Sequence, residues 1–180
     1  KYGGDKGIFG YGTTGSVSSL TNLVANTGVM ASDVTGVGTA REGPAATQYG
    51  SDKGIFGYGY DGGSVSSLTN LVSNTGVVAT DTAGVGTARR LLAACSFAGN
   101  KGIFGYGSTG SDVSMTNIVS TAGVVAADVT GVGTVRQFLA ACEYSGDKGI
   151  FGYGGAANLS MTNLVSNVGV VATDTTGVGT

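Results

Sequence analysis

Lys101-Gly102-Ile103-Phe104-Gly105-Tyr106-Gly107 decides how this chain is read, because the same seven letters stand at 6–12, 53–59 and 148–154. The lysines that open the copies are spaced by 47, 48 and 47 residues. Downstream of each copy a Thr-Asn pair recurs, with its asparagine at Asn22, Asn70, Asn117 and Asn163. A fixed period of this size marks a repeat architecture, in which one supersecondary unit is stacked against its own copies.

Working outward from 101–107, the unit from Arg89 to Thr134 divides into four apolar runs. Arg89 to Phe97 is a run of strand length, and Ala98-Gly99-Asn100 is a turn, since Gly and Asn tolerate positive φ. Lys101 to Gly107 is the second strand and Ser108 to Asp112 a polar loop. Val113 to Ser120 is the third strand, rich in β-branched residues, and Val124 to Asp128 the fourth after a short turn at 121–123. Tight turns between short β-rich runs predict an antiparallel meander. No segment sustains the i, i+3, i+4 spacing of a helix.

The second strand also predicts stacking. Strand side chains alternate between faces, so Phe9 and Tyr11 are expected on one face and Ile8, Gly10 and Gly12 on the other. Phe56 with Tyr58, Phe104 with Tyr106 and Phe151 with Tyr153 repeat the device. The bulky face of one unit would press on the glycines of the next, burying on the order of 150–250 Å² per ring. The fold class this implies is all-β, a β-propeller of four-stranded antiparallel blades of about 47 residues. A β-solenoid is the rival, with shorter, parallel coils.

Composition narrows the function classes. The 180 residues carry 9 Lys plus Arg against 11 Asp plus Glu, a formal net charge of -2. That balance supplies no basic patch for nucleic acid. No apolar stretch approaches the ~20 residues that cross a bilayer as a helix. Residues 1–20 lack the basic and apolar segments of a signal peptide, although the chain starts in mid-pattern and a lost N-terminus could have carried one. Glycine is abundant, at 35 residues with one proline, and reads as tight turns and close backbone contacts rather than disorder. Cys95 and Cys142 hold equivalent places, where the earlier unit has Thr47. They are expected to be small packing residues rather than a required bridge.

Laid out this way, the unit resembles a Kelch-type propeller repeat, the family that includes the galactose oxidase central domain. The matching residues are the arginine before the first strand (Arg41, Arg89, Arg136), the small-residue strands Leu91-Leu92-Ala93-Ala94 and Leu139-Ala140-Ala141, and the glycine-ended Ile-Phe-Gly-Tyr-Gly strand. The usual tryptophan near the fourth strand is absent, and the glycine doublet stands literally only at Gly154-Gly155. The resemblance divides the chain into units at 1–40 (first strand missing), 41–88, 89–135 and 136–180, together one propeller or part of one. The near-identical wording of the repeats is also similar to repeat arrays of bacterial and phage appendages.

The residues at the two ends add an expectation about assembly. Lys1 to Lys6 align with Gln48 to Lys53, and Thr180 aligns with Thr39, so joining end to end leaves about one strand's length missing. Three explanations stand: an excerpt of a longer array, copies that complete a ring together, or a four-bladed closure with one incomplete sheet.

Candidate sites are few. Asp33, Asp81, Asp128 and Asp174 recur with the lysines and arginines. Their plain reading is ion pairing between strands or blades and hydrogen bonding to turn amides, with the Thr-Asn asparagines bonding backbone. The chain has no histidine to serve as a base near neutral pH. Glu42 and Glu143 occupy nonequivalent positions, and Gly-Tyr-Gly lacks the helix and Lys-Ser/Thr of a phosphate loop. The expectation is therefore no enzyme, no cofactor and no metal. Galactose oxidase chemistry, whose copper ligands include histidine, does not carry over.

The units differ most in the loop between second and third strands, and loops on a rigid scaffold are where binding is usually placed. The candidate ligand-binding residues are Thr13, Thr14, Tyr60, Asp61, Thr109, Asp112 and Asn158, with Tyr60 and Asp61 the best pair for a sugar. The plainer reading of the same variation is drift in exposed turns. The expected function is a non-enzymatic structural or recognition repeat protein of an extracellular or virion appendage or fibre. Its expected partners are other copies or further repeats, with cell-surface glycans as an additional class, and neither nucleic acid nor an inserted membrane segment. A carbohydrate-binding, lectin-like propeller and a Kelch-type protein-interaction scaffold are the alternatives.

Overall fold

The computed structural model describes residues 1–155 and 159–177. Its strands are β1 (Gly7–Thr13), β2 (Val17–Val24), β3 (Ala45–Tyr49), β4 (Lys53–Gly57), β5 (Thr69–Val72), β6 (Ala93–Phe97), β7 (Lys101–Gly105), β8 (Thr116–Val119), β9 (Ala140–Tyr144), β10 (Lys148–Gly152) and β11 (Thr162–Val165). β3-β4-β5, β6-β7-β8 and β9-β10-β11 are three-stranded antiparallel sheets, each with its Lys-Gly-Ile-Phe-Gly strand in the middle, while β1 and β2 pair alone. No helix occurs among the described residues. The chain is thus all-β, a succession of small antiparallel sheets.

The expected fourth strand is corrected by the structure. After β8 the chain returns and touches it only through the isolated bridges Val119↔Val125 and Thr116↔Val129. Three steps along β8 face four along the returning segment, so one residue is out of register and a continuous ladder cannot form. The same mismatch separates Val72↔Val78 from Thr69↔Thr82 and Val165↔Val171 from Thr162↔Thr175. An asparagine side chain enters the gap, Asn117 Nδ2 donating to Ala126 O at 3.0 Å. The first strand is also shorter than its apolar run, because Leu91 and Phe138 take φ of 57° and turn the chain before it.

Successive sheets pack face to face, β3 against β6 and β6 against β9. The closed propeller expected from the strand count is not formed: among the described residues the sheets pack in chain order and no ring closes. At the hairpin turns, positive φ at Gly50, Ala98 and their neighbours aims an amide at the following sheet. Gly3 N donates to Asp52 O, Gly50 N to Asn100 O and Ala98 N to Asp147 O, at 2.6–2.7 Å. These bonds fix the offset between sheets at one edge of the stack.

The apolar core lies between sheets. Phe56, Phe104 and Phe151 are buried and rest on glycine of the preceding unit. A Cβ on Gly57 would stand 2.8 Å from Phe104 Cζ, and one on Gly105 would stand 2.6 Å from Phe151 Cζ. The tyrosines depart from simple alternation. Tyr11, Tyr58, Tyr106 and Tyr153 have φ of 62–65°, which reverses the side chain. Each of the first three therefore faces the following unit, not the preceding one, and meets its phenylalanine edge to face.

Candidate functional site

The left-handed backbone of these tyrosines costs about 1–2 kcal/mol per residue outside glycine, so something must hold it. Tyr58 and Tyr106 are fully buried. On one side Tyr58 meets Phe104, and on the other the Arg89 guanidinium lies 4.3 Å from its ring centroid. Its hydroxyl donates to Val85 O at 3.1 Å. A desolvated cation over an aromatic ring contributes about 2 kcal/mol, enough to offset the backbone term.

Arg89 itself has no solvent exposure. A buried cation is tolerated only when paired and hydrogen-bonded, and Arg89 is both. Nε donates to Tyr106 O at 2.9 Å, one Nη to Thr87 O at 3.1 Å and the other to Asn117 Oδ1 at 2.6 Å. Asn117 then donates to Asp128 Oδ1 at 2.9 Å, which also lies 3.7 Å from the guanidinium. The second carboxylate oxygen accepts from both the amide and the hydroxyl of Thr87. Thr87 and Tyr58 precede Arg89 in the chain, while Tyr106, Asn117 and Asp128 follow it. The cluster is a joint between two units.

The joint is built three times. Arg41 bonds Thr39 O and Asn70 beside the Tyr11 ring, with Asp81 bound by Thr39. Arg136 does the same with Thr134, Asn163, Asp174 and Tyr106. Arg41 differs in that its buried Nε has no hydrogen-bond partner. Burial alone would push the Asp81, Asp128 and Asp174 carboxyls up. Hydrogen bonds from threonine and asparagine, with the arginine charge, outweigh it and hold all three below their ordinary value. Burial pushes the Tyr58 phenol up and the Tyr106 phenol up to about 12.

The first unit holds half of this joint. Asn22 Nδ2 donates to Asp33 Oδ1 at 2.7 Å and to Ala31 O at 3.3 Å, as in the other units, yet Asp33 is exposed and no arginine reaches it. The recurrent lysines stay out of the joints: Lys53 and Lys148 pair with the adjacent Asp52 and Asp147 at the surface.

The loop candidates are largely occupied with their own loops. Asp61 Oδ1 accepts from the amides of Gly63 and Ser64, and those bonds lower its pKa. Tyr60 donates to Gly62 O, and Arg90 covers one face of its ring at 4.7 Å. Thr13 and Thr14 are exposed at the end of the β1–β2 hairpin, and the Thr109 hydroxyl donates to Ser111 O. Asp112 bridges Ser108. Asn158 lies outside the described residues. Gly62 approaches Val17, so the 13–16 and 60–64 loops are neighbours on one edge, but their polar groups do not converge.

Cys95, Ser96, Cys142 and Glu143 line one open cleft where β6 packs against β9, while Glu42 lies apart from them. Glu42 stands 3.8 Å from Arg90 and Glu143 accepts from Ser96 Oγ. Cys95 and Cys142 are free thiols, and burial pushes Cys95 up to about 12. Among the described residues no three metal-ligating side chains cluster. The sequence pointed to the charged residues of the joint as structural and showed the tyrosine in every unit, but strand alternation placed its ring on the wrong face, away from the arginine and phenylalanine it lies between. No protein-family model matches the chain, and no curated protein matches it.

Proposed function

We propose that this chain is a non-enzymatic structural repeat, a run of stacked Kelch-like units serving an extracellular or virion appendage that assembles through further repeats or copies. One observation carries this reading: the buried Arg–Asn–Asp–Thr–Tyr joint occurs between each pair of successive sheets. The strongest polar chemistry of the chain is spent on holding neighbours at a fixed spacing. Recognition would then fall to the variable loops. A sugar site at Tyr60 and Asp61 has less support, since Arg90 and the loop amides already engage both.

Limited proteolysis of the native chain tests the structural reading. A rigid stack should lose its loops first, around 61–64 and 109–112, and keep β4, β7 and β10 intact. Early cleavage within those middle strands would reject it. Glycan-array binding that disappears in Tyr60→Ala would instead move the assignment to the lectin-like alternative.

A further inference from the structure

Each unit leaves its third strand through a tight turn, and the residue at the turn's exit is valine every time: Val29, Val77, Val124 and Val170. Other turn letters vary, from Asn-Thr at 26–27 to Thr-Ala at 121–122. All four valines are 64–66 % exposed, and Val77 and Val124, with a unit on either side, are as open as the other two. A single exposed valine is ordinary surface, but a row of them marks a contact.

The row is rigid. Ser73, Ser120 and Ser166 each hold the valine backbone twice. The serine amide donates to the valine carbonyl at 2.9 Å, and the valine amide donates to serine Oγ at 3.0–3.1 Å. A Cβ on Gly76, Gly123 or Gly169, the residue before three of these valines, would stand 2.7–2.9 Å from Leu23, Leu71 or Ile118 of the preceding unit. Each turn is thus held to its neighbour, and the valines repeat at the unit spacing. Valine is stiff at its one torsion, so little side-chain freedom remains to be lost on binding. Beside Val170 an apolar hollow of about 280 Å³ opens between two units, with Ile118, Val129 and Val171 among its walls.

We infer that this edge is a docking surface for a second copy of the chain, laid antiparallel so that the two valine rows interdigitate. This contact deepens the structural reading above and rests on it. A row of the same pitch engages every valine, whereas a partner without that pitch meets one or two. The hollow beside Val170 is a seat for a valine of the other copy. Charge selects the direction. The recurrent lysines follow Asp5, Asp52 and Asp147, but Lys101 follows Asn100. Asp52 belongs to this edge, because Asn74 in the Val77 turn donates to it at 3.2 Å. Antiparallel copies bring the 41–88 unit of each against the 89–135 unit of the other. Asp52 then meets Lys101 twice about one two-fold axis.

Sedimentation equilibrium of the full chain tests this, under reducing conditions that keep the exposed Cys142 from linking copies. The mass should rise from one chain to two between about 1 µM and about 1 mM. Val77→Asp with Val124→Asp, both at exposed positions, should weaken association roughly tenfold or more. Lys101→Glu should weaken it about threefold, and adding Asp52→Lys should restore it, a rescue that parallel copies would not show. A chain still monomeric at about 1 mM overturns the inference, as does a dimer indifferent to the valines or to the exchanged charges. A monomer that binds phosphatidylcholine vesicles through the same valines overturns it in favour of a lipid surface. Circular dichroism checks that the variants fold. Protease-resistant middle strands in a monomer would leave the structural reading standing while the docking surface falls.

Discussion

Tyr58 and Phe104 meet edge to face across the boundary between successive sheets, with ring centroids 5.2 Å apart and Tyr58 at φ 65°. The phenylalanine also lies against Gly57. One aromatic ring therefore reads two adjacent residues of the preceding unit, a missing side chain and a reversed one. Both must be right for the sheets to close together.

Gly105→Ala should destabilise the chain by about 1–3 kcal/mol, the usual cost of overpacking a filled core. Its new Cβ would stand 2.6 Å from Phe151 Cζ. Gly152→Ala is the control: the nearest atom would be Thr162 Cγ2 at 3.4 Å, and the change should stay within about 0.5 kcal/mol. Urea denaturation of the two variants measures the difference.

Arg89→Ala leaves Asn117 and Asp128 without their cation in a buried joint, and should cost about 3–5 kcal/mol. Asp33→Ala removes the equivalent carboxylate where no arginine is seated, and should cost no more than about 0.5 kcal/mol. Equal losses in the two variants would contradict the joint as described.

Stability should fall at both ends of the pH scale. The Asp81, Asp128 and Asp174 carboxyls are held below their ordinary value in the folded chain. Their contribution is present above the unfolded pKa of about 3.9 and is lost as pH falls through the lower folded values. The Tyr106 phenol is raised to about 12. Its contribution is complete below the unfolded pKa of about 10 and disappears as pH rises toward 12. Urea midpoints measured from pH 2 to 12 should trace both flanks, and a flat acid limb would count against the aspartate joints.

Thiol labelling should separate the two cysteines. Cys142 is exposed, whereas Cys95 is buried with its thiol raised to about 12. Because the thiolate is the reacting form, iodoacetamide at pH 8 should modify Cys142 in the native chain and reach Cys95 only after unfolding. Mass spectrometry of the labelled peptides gives the result.

Much of the architecture was legible in the sequence because it rests on period and residue size. The 47-residue step, the hairpin order and the seating of Phe56, Phe104 and Phe151 on glycine follow from those. The side chosen by Tyr58 and Tyr106 does not, since alternation assumes extended backbone and these residues are left-handed. The lost fourth strand depends on one surplus residue between Val119 and Val129, invisible without knowing which residues pair. At the candidate site, the role of Asp81 and Asp128 in binding turn amides was readable from their recurrence. The meeting of Arg89 with Tyr58 was not, because 31 sequence positions separate residues that only the stack brings together.

The amide bonds from Gly50 to Asn100 and from Ala98 to Asp147 join positions about one period apart, and the arginine joints recur once per period. Every unit thus presents the same donor side and the same acceptor side. Removing or duplicating a whole unit would bring together residues that already fit, whereas residues inserted within a strand or hairpin turn would misalign every contact at one boundary. Freedom of length is confined to the loop after the middle strand, where the span from the lysine to the Thr-Asn asparagine runs from 15 to 17 residues while the joints persist.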